Sequence, residues 1–157
     1  MKQYHVGIIG FGTEGVWHAH NVEISEIFEL VGVSDIDRTR EITAQEKGIR
    51  FYESNQALLC DPNIEIVIIA TPNDSHNELS IEALRAGKHV ICEKPAAATS
   101  GELEEMIAVA NECGKILSIY QNRRWDGDYL TIVFGPENVH GEFVGSQSGC
   151  VRFPAFV

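Results

Sequence analysis

Five short apolar runs punctuate the first part of the chain: Tyr4–Ile9, Glu29–Val33, Ile64–Ala70, His89–Cys92 and Ile116–Tyr120. Between them, apolar residues recur at helical spacing over Thr13–Phe28, Arg38–Lys47, His76–Ala86 and Ser100–Cys113. Strand-length runs alternating with helix-length stretches predict βαβ units and a doubly wound, mostly parallel α/β sheet. The run Ile64–Ala70 is nearly all apolar and β-branched, which predicts a central strand covered on both faces. Leu79, Ile81 and Leu84, with Ala83 and Ala86, outline one apolar stripe that Gly87 terminates. Ser100, with Glu102 and Glu104 in the next turn, predicts the N-cap of the last helix.

The pattern is lost after Tyr120. Residues 121–128 are polar, and Gly135-Pro136, Gly141, Gly145, Gly149 and Pro154 interrupt the remaining stretch. The chain therefore divides into residues 1–120, a complete α/β unit, and residues 121–157, a linker and the incomplete start of a second α/β domain. The strand-like tail Glu142–Val157 presents apolar side chains and an unpaired edge, so self-association or disorder is expected.

Charge narrows the possible partners. Twelve basic against twenty-three acidic residues give −11, which argues against nucleic acid and anionic membrane surfaces. An anionic ligand would have to be gripped locally. No long apolar run and no signal-peptide layout is present, so a cytoplasmic protein is expected. Cys60, Cys92, Cys113 and Cys150 form no CxxC and read as small buried hydrophobes rather than disulfides or zinc ligands. His18 and His20, two apart on a predicted helix, do not share a face and make a poor chelate, so no metal site is expected.

The chemistry begins where the first strand meets the first helix, at Gly10-Phe11-Gly12-Thr13-Glu14-Gly15. In such a GxGxxG the first glycine allows the tight turn and the second lets backbone approach a pyrophosphate. The third permits close helix–strand packing, and the helix amides supply positive potential. Asp35 stands twenty residues beyond Gly15, where a carboxylate accepts hydrogen bonds from an adenosine ribose. An acid there favours NAD over NADP, while Arg38 and Arg40 nearby weigh the other way. Two more segments lie at the carboxyl ends of predicted strands, where ligands sit in open α/β sheets: Thr71-Pro72-Asn73 with His76, and Glu93-Lys94-Pro95.

These signals, together with Gln121-Asn122-Arg123-Arg124-Trp125, resemble in order and position the glucose–fructose oxidoreductase, inositol dehydrogenase and rhizopine-catabolism (Gfo/Idh/MocA) family over about residues 3–130. The last motif is most similar to that of bacterial sugar and scyllo-inositol-type dehydrogenases. The resemblance implies a Rossmann fold binding a nicotinamide dinucleotide. Thr71, Pro72, Asn73 and His76 would line its central portion, Glu93 would contact the nicotinamide ribose, and Gln121, Arg124 and Trp125 would close over the nicotinamide end. Lys94 would be catalytic, facing the nicotinamide and the substrate hydroxyl, with Lys94–Pro95 cis. A lysine beside a cationic ring is destabilised in its charged form, which suits proton removal from an alcohol.

Each residue also has a plainer reading: Asp35 or Asp37 as a turn or N-cap residue, Lys94 as a surface lysine, His76 as a hydrogen-bonded helix start. Arg123 and Arg124 could form a solvated pair and Trp125 pack in a core or interface. The family's second domain carries an Asp-x-x-x-His, which residues 126–157 do not contain. Two functions therefore stand open. One is the NAD(P)-binding domain of an oxidoreductase acting on a sugar or polyol hydroxyl, completed by another chain. The other is a catalytically inactive dinucleotide-binding fragment or binding partner.

Overall fold

The computed structural model describes residues 3–126. Met1–Tyr120 makes one compact unit and Gln121–Val157 another. The first unit runs β1 (Tyr4–Ile9), α1 (Thr13–Glu23), β2 (Phe28–Ser34), α2 (Arg40–Glu46), α3 (Asn55–Leu59), β3 (Ile66–Ile69), α4 (His76–Arg85), β4 (His89–Cys92), α5 (Ser100–Cys113) and β5 (Leu117–Ile119). All strand pairs are parallel, in the order β2-β1-β3-β4-β5.

The sheet separates two cores. On one face Val67 and Ile69 of β3 pack with Leu84 of α4, Val90 of β4 and Met106 of α5; on the other, Ile68 joins Val6, Ile8, Val33 and Ala19 of α1. With both faces covered, β3 has no polar side, which accounts for its unbroken apolar sequence.

The elements depart from the hydrophobic pattern mostly at their ends. The periodicity of Thr13–Phe28 overruns α1, which stops at Glu23. Tyr4 N–H donates to Ile27 O at 2.8 Å and Phe28 begins pairing with Tyr4, so the sheet claims the last part of that stretch. The helix predicted from Arg38 starts at Arg40, because the Asp37 carboxylate holds the preceding turn by accepting from Thr39 N–H at 3.0 Å and Thr39 Oγ1 at 2.7 Å. The N-cap of α5 is Thr99, not Ser100. Its hydroxyl accepts from Glu102 N–H, and the Glu102 carboxylate reaches back to Thr99 N–H, so the capping box lies one residue earlier than expected. Helix α3 has no counterpart in the hydrophobic pattern. Of the cysteines, Cys92 is buried, and burial pushes its thiol up to about 11. Cys60 is exposed at the end of α3, contrary to expectation, and Cys150 lies outside the described residues.

In the second unit, Gln121–Asp126 is described. It forms a 3-10 turn over Asn122–Trp125, with Arg123 paired to Asp126 at 3.0 Å. The tail Glu142–Val157 lies outside the described residues. No helix among the described residues is long and apolar enough to cross a membrane.

A polar cluster fastens the amino ends of β3 and β4. Buried Lys88 donates to Asp61 O at 2.7 Å and Ile64 O at 2.8 Å, and Tyr52 Oη donates to Asp61 Oδ2 at 2.6 Å. Arg50 pairs with the same carboxylate at 3.2 Å and lies over the Tyr52 ring at 4.2 Å. Burial, then the hydrogen bond to Asp61, pushes the Tyr52 hydroxyl up from 10.0 to about 12. The neutral phenol is therefore the form that stabilises the fold. Its contribution is whole below the ordinary value of 10.0 and is lost as pH rises through about 12. Tyr52→Phe is expected to lower stability at neutral pH by about 1–2 kcal/mol in urea denaturation. The gap to the unaltered protein should narrow as the pH climbs from 10.0 toward 12.

Candidate functional site

In a sheet ordered β2-β1-β3, the chain leaves β1 toward one neighbour and later returns on the other side, which opens a crevice at the carboxyl ends of β1 and β3. The glycine loop is built against that crevice. Gly10 has φ +91°, and a Cβ there would lie 2.7 Å from the carbonyl carbon and oxygen of Ala70. A Cβ on Gly15 would lie 2.0 Å from Gly10 O, so α1 can seat against the end of β1 only with glycine at that position. A Cβ on Gly12 would meet nothing within 4 Å. Gly12 is the N-cap of α1, and no side chain caps that end of the helix. It opens on a cavity of about 540 Å³ lined by Gly10, Gly12, Thr13, Asp35, Thr71 and Pro72, among others. Uncapped helix amides beside open space form a receptor for an anion.

Asp35 lines the same cavity and also secures the loop. Its Oδ2 accepts from Phe11 N–H at 2.6 Å and its Oδ1 from Asp37 N–H at 2.8 Å. An ionised carboxylate retains acceptor capacity beyond two such bonds. The Phe11 side chain faces the core, fully buried, and offers the cavity no surface. Glu14, Asp37 and Glu78 add further carboxylates to the lining. The Thr39 hydroxyl, then the Thr39 N–H, holds Asp37 below the usual carboxylate range. Arg40 is the basic residue among the lining, and its Nε lies 3.5 Å from Asp37 Oδ2. Arg38 donates to Glu53 O at 2.9 Å and stacks on Phe51. Asn55, which no motif singles out, lines the cavity with its Oδ1 accepting from Ser34 Oγ at 2.8 Å. The signal for it is local: Ser54 caps α3 through Ala57 N–H, a helix start just before Leu58 and Leu59.

A second cluster occupies the carboxyl ends of β3 and β4. Asn73 is exposed in a 3-10 turn, Asn73–Ser75, and His76 opens α4. His76 is fully buried, with Nδ1 2.8 Å from Pro95 O and Nε2 2.8 Å from Thr71 O, so its ring bridges the two loops. The Lys94–Pro95 bond is cis. Glu93 N–H donates to Ile69 O at 3.0 Å, which sets Glu93 beside the end of β3. The Glu93 side chain is buried: Oε1 accepts from His18 Nε2 at 2.8 Å and Oε2 from Lys94 N–H at 3.0 Å. The Lys94 side chain is 57% exposed, its Nζ 4.0 Å from Glu93 Oε2.

The sequence presents His18 only as half of a poor metal pair. In the fold it belongs to the buried face of α1 with Gly15, Ala19 and Val22, whereas His20 is exposed. A histidine at an apolar-stripe position is the signal that a buried polar partner awaits it. The cavity and the Glu93 cluster thus hold Gly10, Gly12, Thr13, Glu14, Asp35, Thr71, Pro72, His76, Glu93 and Lys94 within the first unit. Gln121 and Arg124, both exposed, and Trp125 belong to the second.

Residues 4–121 match the model of the GFO_IDH_MocA oxidoreductase family, NAD-binding Rossmann fold. The chain belongs to this family. This Gfo/Idh/MocA chain is 38% identical over 128 residues to the scyllo-inositol 2-dehydrogenase (NADP(+)) IolW of Bacillus subtilis, covering 81% of the chain and 36% of the relative. A crystal structure of an NAD-binding protein from Listeria innocua superposes with a TM-score of 0.80 at 45% identity, over 83% of this chain and 39% of that one. GenD2 from gentamicin A biosynthesis, solved in complex with NAD, superposes with a TM-score of 0.76 at 26% identity, over 81% and 37% of the two chains. The chain spans less than half the length of the curated relatives it matches.

The glycines give a clean contrast. Gly15→Ala is expected to destabilise the protein by about 3 kcal/mol or more, since backbone lies where its Cβ must go. Gly12→Ala is expected to cost less than about 1 kcal/mol while weakening dinucleotide binding, since its Cβ enters the open space of the cavity. Thermal unfolding and calorimetric titration of both variants check the pair.

Proposed function

We propose that this chain binds NAD⁺ along the carboxyl edge of its sheet, residues 1–120 holding the cofactor, and presents Lys94 to the hydroxyl of a sugar or polyol. The observation that carries this reading is the bare, uncapped start of α1 at Gly12, facing a cavity that also contains Asp35. The helix amides take the pyrophosphate, and Asp35 keeps lone pairs for the adenosine ribose.

The residues at that end favour NAD over NADP. Glu14, Asp35, Asp37 and Glu78 surround the cavity, and Arg40 is already paired with Asp37. A 2′-phosphate brought there would meet carboxylates before it met a free guanidinium. One relative is named for NADP⁺ and another was solved in complex with NAD, so the choice falls to these local charges.

Thr71 and Pro72 line the edge along which the middle of the dinucleotide would lie, with His76 buried behind them, and Glu93 would accept from a hydroxyl of the nicotinamide ribose. The bound nicotinamide supplies a hydride acceptor. Lys94 would take the hydroxyl proton as the carbinol hydrogen leaves its carbon with the C–H electron pair. The protein's part in that step is to hold the exposed Lys94 amine beside the buried Glu93 carboxylate. The inositol specificities named among the relatives, and the sugar-nucleotide specificity named for another, suggest the substrate class.

Isothermal calorimetry on the chain is expected to show NAD⁺ bound at least about tenfold more tightly than NADP⁺. Tighter NADP⁺ binding would reverse the cofactor assignment, and no binding of either would overturn the reading. NADH formation across a panel of sugars and inositols tests Lys94, whose replacement by methionine is expected to abolish any turnover without weakening NAD⁺ binding.

A further inference from the structure

We infer that His18, on the first helix, is a positioning residue for the nicotinamide half of the site, acting through Glu93. This rests on the proposed reading that Glu93 faces the nicotinamide ribose.

Glu93 is the buried carboxylate of the carboxyl edge, its side chain 6% exposed. A carboxylate withdrawn from water to that extent must have both oxygens satisfied, or its orientation and charge are lost. Lys94 N–H serves Oε2, but that bond links neighbouring residues and fixes little by itself. The long-range restraint is the 2.8 Å bond from His18 Nε2 to Oε1, seventy-five residues away in sequence. Releasing it would leave the side chain free to turn about the end of β4.

His18 is itself held. Its ring meets Trp17 edge-on at 5.2 Å and 76°, and Tyr120 at 5.0 Å and 80°, while Trp17 and Tyr120 meet at 5.8 Å. Three elements, α1, β4 and the end of β5, thus converge on one imidazole. For packing alone an apolar side chain at this position would serve, as Ala19 and Val22 do on the same face. What histidine adds is a directed N–H. The helix also has a second end to serve. Its N-cap, Gly12, opens on the cavity, and His18 lies six residues further along, about 9 Å at the rise of an α-helix. Anion grip and carboxylate orientation are therefore set by the same rigid element, so the two halves of the dinucleotide would be read in register.

The test compares a ligand that ends at the pyrophosphate with one that continues to the nicotinamide. ADP and NADH are titrated into the full chain and into His18→Phe, His18→Gln and His18→Asn. Phenylalanine keeps the ring and removes the donor; glutamine restores an N–H near the Nε2 position; asparagine is too short to reach it. Loss of one hydrogen bond to a charged group is expected to weaken NADH about tenfold in the phenylalanine and asparagine variants. ADP binding should be unchanged, and the glutamine variant should recover most of the loss. If His18→Phe does not fold, the asparagine and glutamine pair carries the same contrast.

Equal weakening of ADP and NADH would show that His18 only packs the helix, and would overturn the inference. So would unchanged NADH binding in both donor-less variants, or a glutamine variant no better than asparagine. Glu93→Ala separates this from the reading beneath it. If that variant keeps the unaltered ratio of NADH to ADP affinity, Glu93 is not at the nicotinamide ribose and the underlying assignment fails. If Glu93→Ala lowers NADH alone and the His18 variants do not, the positioning role alone fails.

Discussion

At the carboxyl end of β1, three stretches of backbone pass within contact distance with no side chain between them. Gly10 lies against Ala70 and Thr71, just past the end of the neighbouring strand β3, and Gly15 lies against Gly10. Everything at the carboxyl edge depends on that approach. It brings the start of α1 down onto the sheet, leaves Gly12 facing open space, and sets Phe11 N–H where Asp35 can hold it at 2.6 Å. A single methyl at Gly15 would lift the helix from the strand. For a chain of net charge −11 this arrangement also resolves an electrostatic problem. The uncapped amides at the start of α1 offer positive potential beside the cavity, where Arg40, the basic residue of the lining, is paired with Asp37.

Three side chains then fasten the loops to one another, each reaching between two elements. Asp35 joins the end of β2 to the glycine loop, His76 joins the end of β3 to the loop after β4, and His18 joins α1 to Glu93. The carboxyl edge is therefore a braced surface rather than a row of independent loops. Lys94 stands out from it as an exposed side chain on a buried neighbour.

Much of this is legible in the chain. β1 and β4 fall where the apolar runs place them, and α5 spans Ser100–Cys113 as its periodicity predicts. The order of the glycine loop, Asp35, Thr71–His76 and Glu93–Pro95 along the chain already carries the family. The departures have physical causes. Helical periodicity cannot show where a neighbouring strand captures the chain, so it extends α1 too far into β2. Thr99 and Ser100 are both good caps, and only the reach of the Glu102 carboxylate back to Thr99 decides between them. Helix α3 is too short for a periodic signal. The role of His18 is hidden because its meaning lies in a contact seventy-five residues away. Local pattern reports which face a residue occupies, not which partner waits there.

The parallel sheet also has an opposite edge. At the amino ends of β3 and β4, Lys88, Asp61 and Tyr52 form a closed set of polar contacts, with no residue of the cavity lining among them. The polar cluster and the cavity thus occupy opposite rims of one sheet, separated by its buried apolar strands. Substitutions confined to different rims share no partners, so their free-energy effects should combine additively. The consequence is evolutionary as much as structural. Drift at the amino rim can erode or rebuild stability while the loops around the cavity keep their sequence, and those loops can diversify without renegotiating the foundation beneath them.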